Sequence, residues 1–331
     1  MNILVTGCYG FIGYNFINFL TKKYGNDIQI VGVDSLTNEF SKYNSIHEKR
    51  INFIKADINN ISTIEHDKLK DIDTIVNFAA ESHVDTSIYN PEVFLKSNII
   101  GLSRLIKFGI DNNITNFLHV STDEVYGSLK SNFALEDDKL NPSSPYSASK
   151  ASAELIASSF SKTFGFEIKM VRPANNYGFY QQPEKLIPYS IANLLSGKHI
   201  EIYGNGKHIR HWLHVEDTCS AIDKVLQKGL PNTTYNIGSG VYLENIEVAK
   251  KLLSIMNFDE TMLTYIEDRP GHDFRYAVNF DSLKNLGWKP NKDFDDLLDK
   301  TVGWYSSNRM WWENGFHQIV KNRKKRFSLD E

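Results

Sequence analysis

The sequence predicts an α/β protein built on a doubly wound parallel sheet, with a smaller C-terminal part interleaved with it. Three observations carry this. Short, almost continuously apolar runs recur through residue 122: "NILVTG", "IQIVGVD", "INFIKAD", "TIVNFAA" and "FLHVST". Helical patterns lie between several of them, notably at 11–24 and 91–112. Strands that alternate with helices form βαβ units and hence a parallel sheet. Runs without polar alternation are what strands covered on both faces require.

A helix pattern at 146–164 and the strand "EIKMVRP" extend this first part to about residue 175. Beyond it come short strands, Gly- and Pro-containing loops, and helix patterns at 186–196, 216–228 and 246–256. We expect residues 1–175 to bind a dinucleotide and 176–331 mainly to bind substrate. The second part should close over the carboxyl edge of the sheet, where ligands of such folds bind.

Composition excludes several classes of function. The 331 residues carry 37 basic and 40 acidic side chains, net −3, which gives no global electrostatic case for nucleic acid. The basic run "KNRKKR" at 321–326 reads as a solvated end. Two cysteines, Cys8 and Cys219, make neither a disulfide framework nor a metal-ligand pattern, so no metal is expected. No apolar stretch approaches the roughly 18–20 residues of a membrane helix, and the N-terminus lacks a signal-peptide pattern. A cytoplasmic protein is the expectation.

In "VTGCYGFIG", Gly7, Gly10 and Gly13 lie between the first strand and the first helix. Such spacing serves a tight turn, close backbone approach and a helix N-terminus facing a pyrophosphate. Glycines also simply end strands; the position between strand and helix favours the dinucleotide reading of a Rossmann-type fold. Asp34 ends the second strand 21 residues after Gly13. There a carboxylate accepts both ribose hydroxyls and repels a 2′-phosphate, favouring NAD over NADP.

"PYSASKASAE" sets Tyr146 and Lys150 at i, i+4, on one helix face. An ammonium beside a tyrosine stabilises the phenolate and lowers its pKa, making a base for a hydroxyl proton. A surface helix can show the same spacing. The adjacent carboxylates Asp123 and Glu124 follow the fifth apolar run, where a solvated turn or an acid–base pair is equally readable from the two residues alone.

Together these motifs resemble the extended short-chain dehydrogenase/reductases, and within them the dTDP-glucose 4,6-dehydratase family. The similarity runs from residue 3 to about 305 through "AAESHVD" (79–85), "STDEVYG" (121–127), "SPYSASKAS" (144–152), "NNYG" (175–178), "PEKLIP" (183–188), "YGNGKHIRHWLHVED" (203–217) and "RPGHD" (269–273). It implies that Tyr146 takes the sugar O4 proton while hydride leaves C4 to NAD, with Thr122 orienting O4. The resulting 4-ketone acidifies C5; Glu124 removes that proton, protonated Asp123 donates to the departing C6 hydroxyl, and the hydride returns to C6. Such work requires an acid and a base with separated pKa values. Successive strand residues point to opposite faces, so the pair should sit where the strand ends.

The resemblance extends the cofactor set to Phe11, Ile12, Ser35, Asp57, Ile58, Ala79, Ala80, Ser82, Ser97, Ser121 and Asn176, beside Tyr146 and Lys150. It nominates Ser82, His83, Thr122, Asn175, Lys185, Leu186, Tyr203, Arg210, Asn245, Arg269 and His272 for a nucleotide-diphosphate hexose. Arg210 and Arg269 suit phosphate oxygens best, having guanidinium forks; surface salt bridges are the other reading of these cations. It also implies a homodimer through helices 91–112 and 146–164. Four departures stand out: Cys8 in the glycine loop, where the main-chain amide should still serve; Thr86 where Arg is usual; His211 where Asp is usual; and "MVRPANNYG" at 170–178. They leave open the same reaction on another nucleotide hexose such as UDP-glucose. A 4-epimerase or decarboxylase of this fold generally lacks the Asp–Glu pair, and an NAD-binding scaffold has no use for the full set of reactive residues.

Overall fold

The computed structural model describes residues 1–48, 50–290 and 293–327. The apolar runs become strands β1 (Asn2–Thr6), β2 (Gln29–Asp34), β3 (Asn52–Lys55), β4 (Thr74–Asn77) and β5 (Asn116–Val120), followed by β6 (Ile168–Pro173). After these come β7 (Asn175–Tyr177), β8 (Ile200–Tyr203), β9 (Ile209–His214), β10 (Thr234–Ile237), β11 (Val241–Glu244) and β12 (Leu263–Ile266). The main sheet runs β10-β6-β5-β4-β1-β2-β3 and is parallel throughout. This is the doubly wound order, with its switch point between β1 and β4. β10 returns from the second half of the chain to pair with β6, so the two halves are interleaved. Smaller sheets, β11-β9-β7 and β12-β8, lie in the second half.

The first-half helices are α1 (Phe11–Tyr24), α2 (Glu39–His47), α3 (Val84–Tyr89), α4 (Pro91–Phe94), α5 (Leu102–Asp111) and α6 (Pro145–Phe164). The expected helix 91–112 is α4 and α5 joined through a π-helical turn at Leu95–Gly101. That turn holds Asn98, whose buried amide accepts from Glu81 N and donates to Glu81 O and Ser149 Oγ. A widened turn lets one side chain satisfy three groups on neighbouring segments, a common use of π-turns at functional sites. α6 starts firmly: Ser144 caps Ser147 N, the Ser147 hydroxyl returns to Ser144 N, and Pro145 occupies the first turn.

The second half adds α7 (Leu186–Leu195), α8 (Val215–Lys228), α9 (Asn245–Ile255), α10 (Asp281–Asn285), α11 (Phe294–Ser307) and α12 (Arg309–Phe327). α1 and α8 cover one sheet face in a core that includes Ile17, Leu20, Ile222 and Val225. α5 and α6 cover the other through Leu105, Ile106, Ala153 and Ala157. A separate aromatic core joins α7, α9, α11 and α12. The side chains of the basic run beyond Lys321 lie outside the described residues. Among the described residues no helix is long and apolar enough to cross a membrane.

Candidate active site

A cavity of about 640 Å³ opens at the carboxyl edge of the sheet. The glycine loop contributes Gly7, Gly10, Phe11, Ile12 and Gly13; the end of β2 contributes Asp34 and Ser35. Asp57 and Ile58 follow β3, and Ala79, Ala80, Ser82 and His83 follow β4. Ser97 comes from the π-turn, Ser121 from the end of β5, Tyr146 and Lys150 from α6, and Lys185 from the residue before α7. Asn176 stands apart from this wall. Its amide donates to Ala174 O and accepts from Thr218 Oγ1, tying β7 to α8.

Two glycines are sterically required. Gly7 has φ of 66°, and a Cβ there would lie 2.6 Å from Ala79 N; one at Gly13 would lie 2.3 Å from Gly7 O. The loop is therefore pressed between β4 and the start of α1, which brings its backbone to the cavity. The Cys8 amide, expected to serve the cofactor, here donates to Val33 O at 3.4 Å. Asp34 accepts from Tyr9 N at 3.0 Å and from Leu36 N at 2.8 Å, one bond per oxygen. A carboxylate offers about four acceptor positions, so lone pairs remain for a vicinal diol. Loop, carboxylate and cavity size together fit a dinucleotide.

The adjacent carboxylates sit where β5 ends, in a 3-10 turn at Asp123–Tyr126 capped by Thr122, whose hydroxyl accepts from Glu124 N at 3.3 Å. Both neighbours feel the charge of Arg210, although the cavity wall itself reaches only Val120 and Ser121 on this strand end. Asp123 is 2% exposed and one of its oxygens, Oδ2, has no hydrogen-bond partner. Burial first, and the charge of Glu124 second, push its pKa well above the ordinary carboxylate range. Burial also raises Glu124, but Lys185, Arg210 and Arg269 oppose that shift. Both carboxyls are raised, Asp123 well above its ordinary range, while three cations hold Glu124 back, so Asp123 is the better placed to keep a proton.

Thr122 is close enough to the Tyr146 hydroxyl to favour its ionised form, which links the end of β5 to α6. The expected lowering of the Tyr146 pKa by Lys150 is absent here. Burial and then Glu124 raise it, while Lys150 Nζ donates to Val120 O at 2.7 Å. Shared helix face did not deliver the ammonium to the phenol, because a buried main-chain carbonyl claims it. Burial pushes Lys150 down to about 8, against the field of Glu154.

Across the cleft, segments 82–85 and the second half meet. Lys185 Nζ donates to Ser82 O at 2.8 Å, Arg269 Nη1 pairs with Asp85 at 3.1 Å, and the Tyr203 hydroxyl donates to Asp85 at 3.2 Å. Arg210 is buried and committed to protein acceptors: Ile209 O, Asp273 O and His272 Nε2. Because His272 Nε2 accepts from Arg210, its proton lies on Nδ1 and is donated to Asp268 at 2.6 Å. Burial and the two arginines push His272 down to about 3. Leu186 packs against the aromatic core. Asn175 Oδ1, Asn245 Oδ1 and Arg269 Nε are buried without hydrogen-bond partners, as is Ser121 Oγ. Unpaired buried polar atoms are costly and mark places where a ligand completes the structure.

The substituted positions have local explanations. Thr86 donates from its backbone to His83 Nδ1 at 3.2 Å, which leaves the His83 proton on Nε2, 3.9 Å from Glu184. His211 accepts from Ser239 N and Gly240 N, both at 2.9 Å, and burial pushes its pKa down to about 3. The sequence reading missed Asn38, Ser41, Glu81, Gln181 and Glu184 in the cavity wall. The signal available for the first two was the N-cap pattern at Asn38, which accepts from Ser41 N.

Comparison with known proteins agrees with this geometry. Residues 4–301 match the family model described as GDP-mannose 4,6 dehydratase. The low-salt glycan biosynthesis protein Agl12 of Haloferax volcanii is 42% identical, over 92% of this chain and 98% of its own. A dTDP-glucose 4,6-dehydratase of Streptomyces antibioticus is 38% identical, over 95% of each chain. The crystal structure of DesIV, a dTDP-glucose 4,6-dehydratase from Streptomyces venezuelae with NAD and TYD bound, superposes with a TM-score of 0.90 at 39% identity, covering 95% of this chain and 100% of that one. The protein described above is accordingly an NAD-dependent hydro-lyase, and its chain belongs to the GDP-mannose 4,6 dehydratase family of extended short-chain dehydrogenase/reductases.

Proposed function

We propose that the enzyme converts dTDP-glucose to dTDP-4-keto-6-deoxyglucose. One observation carries the reaction: Asp123 and Glu124 share a turn but not an environment. Glu124, faced by Lys185, Arg210 and Arg269, serves as the base at C5. Asp123, protonated through burial and its neighbour's charge, serves as the acid at the C6 hydroxyl. Thr122 orients O4 beside Tyr146. Burial keeps Tyr146 protonated at rest, so taking the O4 proton requires a cation near its hydroxyl; that task falls to Lys150, four positions along α6, whose ammonium must turn from the Val120 carbonyl to perform it. Bound NAD supplies the hydride acceptor and donor. An epimerase has no use for an acid–base pair at C5 and C6.

The unpaired atoms of Asn175, Asn245 and Arg269 support their assignment to the nucleotide-diphosphate, together with Lys185, Tyr203 and His272. Arg210, whose two terminal nitrogens already bond protein acceptors, acts there mainly by charge. Residues 1–175 form the cofactor part and 176–331 mainly the substrate part. Exposed Val93, Leu95, Ile100 and Leu155 on α4–α5 and α6 support a homodimer through those helices. Two buried free cysteines accord with a reducing cytoplasm.

A second reading keeps the reaction and changes the nucleotide, with UDP-glucose as the nearest case. Thr86 in the cavity wall favours retaining it, since the larger Arg usual there is missing. Assaying dTDP-, UDP-, CDP- and GDP-glucose side by side, through the absorbance of the 4-keto product in alkali, separates the readings. The highest kcat/KM is expected with dTDP-glucose; a preference for another nucleotide replaces it, and no product from any of them refutes the dehydratase assignment.

A further inference from the structure

The dinucleotide cavity is braced from the far end of the chain. Trp311, in α12, donates its indole Nε1–H to Asn44 Oδ1 at 2.8 Å, across 267 positions of sequence. Asn44, in α2, donates from Nδ2 to the carbonyl of Tyr9 at 3.2 Å. Tyr9 stands between Gly7 and Gly10, and its own N–H donates to Asp34 Oδ2 at 3.0 Å. All these side chains are buried. A continuous hydrogen-bonded line therefore runs from an indole in the last helix, through one amide, to the peptide that sets the glycine loop and the ribose carboxylate.

We propose that Trp311 is a positioning residue for the dinucleotide, acting through Asn44 on the Tyr9 peptide. Each step leaves little slack. A buried indole N–H needs an acceptor, and Asn44 has its carbonyl on Trp311 and its amide on Tyr9, so the indole orients the amide. Among the described residues the Tyr9 carbonyl otherwise has only the longer bond from Ser41 Oγ, at 3.3 Å. α12 is also pressed onto α2: a Cβ at Gly315 would lie 2.5 Å from the Phe40 ring, and that ring is 5.0 Å from Trp311. Neither Trp311 nor Asn44 lines the cavity. Their effect on cofactor hold therefore passes through their neighbours, the Tyr9 peptide of the loop and Asn38 and Ser41 at the start of α2.

The test separates the hydrogen bond from packing. Trp311→Phe keeps an aromatic ring among Phe40, Tyr180 and Trp304 but deletes the N–H; Asn44→Leu cuts the line in its middle and leaves the tryptophan in place. The readout is the rate at which the holoenzyme releases NAD on dilution, with the melting temperature of the cofactor-stripped protein as control. Each variant should release NAD about ten-fold faster, the scale of one buried hydrogen bond left unmade. kcat at saturating NAD should be unchanged, and the double variant should release NAD no faster than Asn44→Leu alone. Unchanged release from Asn44→Leu overturns the proposal, whatever Trp311→Phe does. Additive effects in the double variant overturn it as well, because two independent routes would then exist. Faster release that merely follows a fall in melting temperature of the stripped protein assigns Trp311 to packing and overturns it too.

Discussion

The ammonium of Lys150 is bonded to the Val120 carbonyl at 2.7 Å, and Tyr146 stands one helical turn before it on the same helix. The lysine thus holds its charge at the end of β5, one residue before Ser121. Its pKa of about 8 lies below the ordinary 10.5 because burial penalises the ammonium. Between these values the unfolded chain keeps the proton and the native state releases it. This group's contribution to stability therefore rises as pH climbs from about 8 to 10.5, while its charge leaves the site. The kcat/KM profile should fall on the alkaline side with an apparent pKa of about 8. A profile that stays flat through that range would show that the Lys150 charge is not used.

Glu124 and Tyr146 should fail at different stages. Glu124→Gln leaves the oxidation at C4 possible and blocks C5 deprotonation, so substrate should make the fluorescence of reduced cofactor accumulate. Tyr146→Phe should prevent that accumulation. Were both variants to stop with the cofactor oxidised, the division of labour between the two residues would be refuted.

Hydrogen labelling follows the whole cycle. Substrate deuterated at C4 and turned over in ordinary water should give product deuterated at C6. Unlabelled substrate in heavy water should gain deuterium at C5, since Glu124 is partly exposed and exchanges with solvent. Asp123→Asn should slow loss of the C6 hydroxyl, because an amide supplies no acidic proton. Deuterium retained at C4 would mark an epimerase.

Arg172 and Glu154 form a buried pair with an Nη2–Oε2 distance of 2.6 Å and side chains 6% and 3% exposed. The guanidinium also stands 4.8 Å from the Tyr126 ring, beneath the catalytic turn. Arg172→Met strands the carboxylate and should cost about 3–5 kcal/mol, lowering the melting temperature by on the order of 10 °C. Adding Glu154→Leu should recover part of that loss. If calorimetry finds the double variant less stable than Arg172→Met, the pair is not the source of the cost.

Local pattern determined most of the framework. The apolar runs specified five parallel strands because doubly covered strands exclude polar residues, and Gly7, Gly13 and Asp34 declared their places through sterics and charge that operate over a few residues. The Asp123–Glu124 and Tyr146–Lys150 pairs were visible as spacings, but alone each could equally mark a solvated turn or a surface helix, and only the resemblance gave them roles. Their spacing is set by the strand end and by one helical turn. Even the departures at Thr86 and His211 were visible as departures.

Only the tertiary structure decided the partners. That Lys150 bonds Val120, that Arg210 bonds Asp273 and His272, and that Asn176 braces α8 all depend on backbone carbonyls and side chains far away in sequence. The same holds for Trp311 and Asn44. Periodicity reports which face of an element is buried, but a buried polar group is satisfied by whatever the fold brings within about 3 Å of it. Protonation then follows from that company, which is why burial and a neighbour's charge raise Asp123 while three cations restrain the rise of Glu124.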